Sequence, residues 1–178
     1  MNYFIQFLTY FRILIAPVIF ILITLYDSYG WALFLFFLAS ISDYWDGFLA
    51  RRFNLESIIG AVLDPIADKI LLTFLILALS LELSSIFIGM VGGIILIREF
   101  WVGALRDFNA RNGNINATKV TFMAKIKTAT QLFAVGSFLI ALIFNNALIM
   151  LISNFLLFLA LIISLQTGLS YTISTFKK

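Results

Sequence analysis

The stretch that decides the fold runs from Ser42 to Lys69 and reads SDYWDGFLARRFNLESIIGAVLDPIADK. It contains four aspartates and joins two long apolar runs of a chain that is 62% hydrophobic. A pair of arginines, Arg51 and Arg52, marks a polar turn between the two runs. The pattern predicts two membrane-spanning helices that meet in a charged hairpin, with the aspartates at the hairpin ends of both helices.

The composition of the whole chain favours the same class of protein. Only 12% of its 178 residues are charged, and the mean hydropathy is +1.07, whereas a soluble domain carries about 25% charged residues. We expect a single all-α, polytopic membrane domain over residues 1–178, with no nucleic-acid partner. The chain has neither cysteine nor histidine. Any bound metal must therefore be held by oxygen, and any proton transfer must use Asp, Glu, Lys or Tyr.

Six apolar runs predict six transmembrane helices; most reach the length of about 20 apolar residues that crosses a bilayer, and the first is short. They lie at residues 12–26, 31–50, 57–80, 85–106, 120–144 and 147–174. Residues 2–11 (NYFIQFLTYF) are rich in aromatic side chains and predict a short interfacial helix ahead of the first span.

The basic residues fix the predicted orientation. All twelve lysines and arginines fall on or near one set of turns, at residues 51–54, 106–119 and 177–178. None falls near the other set, at residues 27–30, 82–85 and 145–146. By the positive-inside rule both termini and the Ser42–Lys69 hairpin face the cytoplasm. We recognise no transit peptide ahead of the first predicted span and therefore expect a bacterial inner membrane.

Helical spacing groups the four aspartates into two pairs. Asp43 and Asp46 are three residues apart, and Asp64 and Asp68 are four apart, so each pair shares one helix face. The same faces carry small residues, which leave room for a ligand or for a closely packed helix: Gly47, Ala50 and Gly60. For the two glycines, helix packing is an equally good explanation.

Four carboxylates at one depth repel each other unless cations neutralise them. Oxygen-only ligands suit Mg²⁺ or Mn²⁺, and two such ions would balance four carboxylates. Pairs of divalent ions of this kind clamp phosphates for in-line displacement, and Arg51 would add a fixed positive charge. The residues alone therefore favour phosphoryl chemistry at the membrane surface.

The hairpin resembles the signature of the CDP-alcohol phosphatidyltransferase family at eight positions: Asp43, Asp46, Gly47, Ala50, Arg51, Gly60, Asp64 and Asp68. The resemblance implies a homodimeric enzyme in which an alcohol displaces CMP from a CDP-linked lipid. It implies that all four aspartates ligate two metal ions and that Asp68 is also the general base. It further implies CDP contacts from Asp43, Gly47, Ala50, Arg51 and Gly60, with Thr9 as a candidate in the N-terminal run.

The second half of the chain bears on the acceptor alcohol. Arg98, Arg106, Lys125 and Lys127 approach the cytoplasmic level of the aspartates and predict an acceptor that carries its own phosphate. Lys125 and Lys127 are about 200° apart around a helix, so they can both reach one ligand only if the helix starts between them or their side chains bend. The sequence around Arg98 and Arg106 in the fourth span, followed by Lys125 and Lys127 in the fifth, resembles the pattern of phosphatidylglycerophosphate synthases. This resemblance implies CDP-diacylglycerol and sn-glycerol 3-phosphate as substrates and phosphatidylglycerol phosphate and CMP as products.

Three alternatives stay open at this stage. Another member of the same family would use inositol phosphate, serine or phosphatidylglycerol as the acceptor. Intramembrane acids also mark ion paths, but transporter sites lie near the midplane and often come with repeats, and the chain shows no repeat. A non-catalytic protein of the same fold is the third, although all four aspartates are present.

Overall fold

The computed structural model describes residues 2–53, 58–113 and 122–176; the side chains of 2–6, 43, 44, 46–53, 58–62, 122, 124 and 125 fall outside that description. These residues form six α-helices and contain no strand. The helices are α1 (Asn2–Thr24), α2 (Tyr29–Phe53), α3 (Ile58–Glu82), α4 (Ile86–Arg111), α5 (Phe122–Phe144) and α6 (Ala147–Phe176). The predicted all-α class is confirmed, and each predicted span falls within or close to one helix.

The N-terminal helix differs from the prediction. We expected an interfacial helix over residues 2–11 and a separate span over 12–26, but α1 runs unbroken from Asn2 to Thr24. The first fifteen residues contain neither glycine nor proline, so nothing in the backbone breaks the hydrogen-bond ladder there. Pro17 is the one proline of α1 and lies inside the helix without ending it.

Four of the helices contain segments that are long and apolar enough to cross a membrane: Phe7–Thr24, Ile86–Arg111, Ile126–Phe144 and Ala147–Phe176. Large apolar side chains on them are exposed, among them Leu14, Phe133 and Phe155 at 70%, 72% and 64%. Exposed apolar surface on this scale is what a lipid-facing helix presents. The chain is therefore a helical membrane protein.

Three turns belong to the set that the sequence predicted to lack basic residues. In each of them, a residue in the left-handed backbone conformation follows the end of a helix. Asp27, Ser84 and Asn145 have φ angles of 49°, 46° and 45°. After α3, the Ser85 N–H donates to the Ser80 carbonyl and the Ser84 N–H to the Leu81 carbonyl. This pair of bonds closes the helix end in the manner of a Schellman motif.

The chain divides into two compact units. The first comprises residues 1–85 and 142–145, and so contains α1, α2 and α3. Within it α1 packs against both α2 and α3, and Phe20 meets Phe74 edge to face at a centroid distance of 6.0 Å. Ala16 and Ala67, one on each of these two helices, are fully buried, and small side chains allow helix backbones to approach closely.

The second unit comprises residues 86–141 and 146–178, and so contains α4, most of α5, and α6. In this unit α4 packs along α6. Hydrogen bonds connect the two helices, for example the one that the Trp101 indole N–H donates to the Thr172 hydroxyl at 3.0 Å. Residue Asn146 starts α6, because its side-chain oxygen accepts from the N–H groups of Leu148 and Ile149. The expectation of a single domain over 1–178 stays a prediction.

Candidate active site

Two of the four motif aspartates meet side chains of α1 inside the first unit. Asp64 and Asp68 lie one turn apart on α3, and their side chains are 35% and 52% exposed. The Thr9 hydroxyl donates to Asp64 Oδ1 at 2.7 Å. Arg12 donates to Asp68 Oδ1 at 2.5 Å and reaches Asp64 Oδ1 at 3.5 Å. A threonine and an arginine three residues apart on α1 thus face two aspartates four residues apart on α3.

Arg12 is the residue of this site that the sequence analysis missed. No role was assigned to Arg12 from the sequence, yet its side chain is completely buried. A buried guanidinium needs anionic partners, because removing a charge from water costs far more free energy than an unpaired ion can regain. Its position inside an apolar run was the available signal, since a charge at membrane depth pairs with other polar groups.

The geometry of Asp64 and Asp68 suits a divalent cation. Both known contacts of Asp64 use Oδ1, so within the described part of the chain its Oδ2 accepts no hydrogen bond. The carboxylates are partly open to solvent, and Mg²⁺ and Mn²⁺ prefer oxygen donors of this kind. Arg12 approaches each carboxylate at Oδ1, which leaves the other Asp64 oxygen as a possible metal ligand.

The remaining predicted residues of the hairpin cannot be judged at the level of side chains. The backbone places Asp43 and Asp46 near the end of α2 and Gly60 at the start of α3. Their side-chain environment lies outside the described residues, as does that of Gly47, Ala50 and Arg51. The structure therefore brings together Asp64, Asp68 and Thr9, and leaves the convergence of all four aspartates as a prediction.

The predicted phosphate-binding residues lie in the second unit. Arg98 is buried, and its guanidinium donates to Glu99 Oε1 at 2.9 Å and to the Thr167 hydroxyl at 2.7 Å. Lys127 on α5 donates to the same Glu99 oxygen at 2.6 Å. Glu99 therefore forms ion pairs with both Arg98 on α4 and Lys127 on α5. This placement selects Lys127 for the polar cluster of this unit, while the Lys125 side chain lies outside the described residues.

Arg106 lies two turns further along α4 and contacts α6. Its guanidinium donates to the Tyr171 hydroxyl at 2.9 Å, and its Cζ lies 5.0 Å from the centre of the Tyr171 ring. Arg98 and Lys127 share the Glu99 carboxylate, and Arg106 lies on the same helix as Arg98. Among the described residues Glu99 pairs with Arg98 and Lys127, and no carboxylate pairs with Arg106, so the cluster carries an excess of positive charge that suits an anionic ligand.

The chain is similar to known proteins over most of its length. The family model described as CDP-alcohol phosphatidyltransferase matches residues 5–166. A protein of Wigglesworthia glossinidia brevipalpis named CDP-diacylglycerol–glycerol-3-phosphate 3-phosphatidyltransferase is 34% identical over 87% of this chain and 88% of its own length. Proteins of the same name from Salmonella typhimurium and Escherichia coli K12 are 33% and 32% identical, each over 72% of both chains.

Proposed function

Because the chain belongs to the CDP-alcohol phosphatidyltransferase family, we propose that it transfers a phosphatidyl group from CDP-diacylglycerol to sn-glycerol 3-phosphate. The products are phosphatidylglycerol phosphate and CMP. The observation that carries this proposal is the similarity to enzymes named for this reaction, at 32–34% identity over at least 72% of the chain. The excess positive charge around Arg98, Arg106 and Lys127 supports an acceptor that carries a phosphate. A different acceptor, namely inositol phosphate, serine or phosphatidylglycerol, is the alternative.

The metal site of this proposal consists of the four hairpin aspartates, Asp43, Asp46, Asp64 and Asp68. They would hold two Mg²⁺ or Mn²⁺ ions, which supply charge stabilisation on the pyrophosphate and on the departing CMP. Arg12 supports the site because it fixes one oxygen each of Asp64 and Asp68 from α1. The second oxygen of Asp64 is then oriented away from that contact and available to a cation.

Asp68 is the general base in this scheme. The 1-hydroxyl of glycerol 3-phosphate gives its proton to Asp68 while its oxygen forms a bond to the lipid-linked phosphorus. The bond from that phosphorus to the CMP phosphate breaks, and CMP leaves as an anion. Of the two motif aspartates whose side chains are described, Asp68 is the more exposed, which suits a base that meets a water-soluble acceptor.

The nucleotide contacts of the proposal are Thr9, Asp43, Gly47, Ala50, Arg51 and Gly60. Thr9 has a defined geometry, since its hydroxyl proton is directed at Asp64. A nucleotide group would therefore have to donate to the Thr9 oxygen rather than accept from it. This restricts the contact to a donor such as an amino or hydroxyl group of CDP.

The acceptor phosphate is bound in this proposal by Arg98, Arg106, Lys125 and Lys127. Replacing Arg106 with alanine should raise the KM for glycerol 3-phosphate about tenfold with a much smaller change in kcat, because a lost charge-assisted bond costs about 1.5 kcal/mol. Steady-state CMP release at varied acceptor concentration measures this. Arg111→Ala is the matched control, since Arg111 ends the same helix and is 78% exposed. An unchanged KM in Arg106→Ala would remove Arg106 from the phosphate site.

The membrane arrangement completes the proposal. We place six spans in a bacterial inner membrane, with the hairpin between α2 and α3 facing the cytoplasm, and we expect a homodimer. The support is the asymmetry of lysine and arginine between the two sets of turns and the bacterial origin of the similar proteins.

The reaction is tested by the lipid product. Purified protein with CDP-diacylglycerol, Mg²⁺ and labelled glycerol 3-phosphate should form a lipid with the mass of phosphatidylglycerol phosphate. Chelation of the metal with EDTA should abolish product formation, and added Mg²⁺ or Mn²⁺ should restore it. Product formed at the same rate in EDTA would contradict the metal site.

A further inference from the structure

A glycine on α6 lets Arg98 lie directly against the helix backbone. A Cβ atom added at Gly168 would lie 3.0 Å from both Cγ and Nε of Arg98. Carbon atoms in proteins rarely approach so closely, and Cγ belongs to the stem of the side chain, which has little freedom to move aside. Arg98 is also buried. The absence of a side chain at residue 168 is thus a condition for the observed position of Arg98.

The neighbouring residue, Thr167, fixes the other end of the Arg98 side chain. Its hydroxyl accepts from Arg98 at 2.7 Å and donates back to the carbonyls of Ile163 and Ser164 in its own helix. The hydroxyl proton is therefore used within α6, and the oxygen faces the guanidinium. Thr167 and Gly168 together determine both the path and the orientation of Arg98.

Tyr171 plays the same part for Arg106, one helical turn further along α6. Its hydroxyl accepts from Arg106 at 2.9 Å and its ring lies beneath the guanidinium at 5.0 Å. Tyr171 is only 5% exposed, so packing holds the ring in place. Arg98 and Arg106 of α4 are thus both oriented by one uncharged face of α6.

The two arginines keep donor capacity for a ligand. Their Nε atoms are buried and, within the described part of the chain, have no hydrogen-bond partner. A buried N–H without an acceptor costs free energy, and a phosphate oxygen that reaches Arg106 would relieve that cost, whereas the Nε of Arg98 lies against Gly168. Both side chains are already ordered by α6, so binding loses less side-chain entropy than two free arginines would lose.

We propose that Thr167, Gly168 and Tyr171 form a positioning face on α6 that sets the affinity for the acceptor phosphate by orienting Arg98 and Arg106. The inference rests on the proposed function and deepens it. All three residues lie beyond residue 166, where the match to the family model ends, and they act on the substrate only through the arginines.

Two glycine variants provide the main test. Gly168→Ala should raise the KM for glycerol 3-phosphate about tenfold, because a displaced arginine loses its aligned bonds to the phosphate. The KM for CDP-diacylglycerol and kcat should stay within about twofold of the wild-type values. Gly93→Ala is the control, since a Cβ atom there meets nothing within 4 Å, and all its constants should match the wild type. Equal acceptor KM values in both variants would overturn the inference.

A second variant covers the case in which Gly168→Ala does not fold. Thr167→Val keeps the side-chain shape and removes the oxygen that Arg98 donates to, so it too should raise the acceptor KM severalfold. A wild-type acceptor KM in Thr167→Val would contradict the inference. No turnover of glycerol 3-phosphate by the wild-type enzyme would instead refute the proposed function, so the two failures are distinguishable.

Discussion

Replacing Asp68 with asparagine should lower the rate of CMP release about a thousandfold, since a positioned general base contributes about 10² to 10⁴ in rate. Asparagine keeps the shape and an oxygen that can still accept from Arg12, which donates to Asp68 at 2.5 Å. The fold should therefore survive, whereas the proton acceptor is lost. Initial rates with CDP-diacylglycerol, glycerol 3-phosphate and Mg²⁺ measure the loss, and a thermal unfolding midpoint in detergent checks the fold.

The matched control for this substitution is Asp107→Asn. Asp107 lies on α4, is 63% exposed and pairs only with Arg111 among the ion pairs of the described residues. The same chemical change there should leave the rate within about twofold of the wild type, as exposed pairs contribute about 0–1 kcal/mol. An Asp68→Asn enzyme that keeps more than about a tenth of the wild-type rate would show that Asp68 is not the base.

Replacing Arg12 with glutamine should lower both stability and turnover. The side chain is fully buried, and its carboxylate partners among the described residues, Asp64 and Asp68, are 35% and 52% exposed. Breaking a fully buried pair costs about 3–5 kcal/mol; partial solvation of the aspartates reduces this to about 2 kcal/mol of unfolding free energy. Turnover should fall about a hundredfold as well, because Asp64 and Asp68 lose the contact that orients them. Denaturant titration in micelles and CMP release measure the two effects.

Two further variants separate the function of Arg12 from the mere loss of a charge. Arg111→Gln removes an exposed arginine from its pair with Asp107 and should change stability by no more than about 0.5 kcal/mol. Arg12→Lys keeps the charge but lacks the planar set of N–H donors with which arginine binds two carboxylates at once. Compared with Arg12→Gln, it should therefore restore stability more than it restores turnover. Arg12→Gln with wild-type stability and turnover would contradict the account of this contact.

The helices were predictable from the sequence because apolar length and the positions of charged turns determine them locally. The turns at Asp27, Ser84 and Asn145 appear where the sequence placed them, whereas the start of α1 differs from the prediction. There an aromatic-rich segment indicated an interfacial helix, but without a glycine or proline to break it the backbone stays continuous with the span that follows.

The pairing of charges was less predictable, because it depends on which helix faces lie against each other. Arg12 and Asp68 are 56 residues apart, and Arg98 and Thr167 are 69 apart, so no helical spacing relates them. Spacing grouped the aspartates on one face of α3 but could not show that α1 supplies their counter-charge. Residues such as Gly168 carry no chemical signature at all, and only the packing of α4 on α6 reveals what they do.

The most direct test of the central claim is CMP release by the purified protein with CDP-diacylglycerol and Mg²⁺, compared across four acceptors. Glycerol 3-phosphate should support release, whereas inositol phosphate, serine and phosphatidylglycerol should support little or none, and the Asp68→Asn variant should be inactive with all four. Release that depends on a different acceptor would contradict the assignment of Arg98, Arg106 and Lys127 to glycerol 3-phosphate. No release with any acceptor would contradict the proposed activity itself.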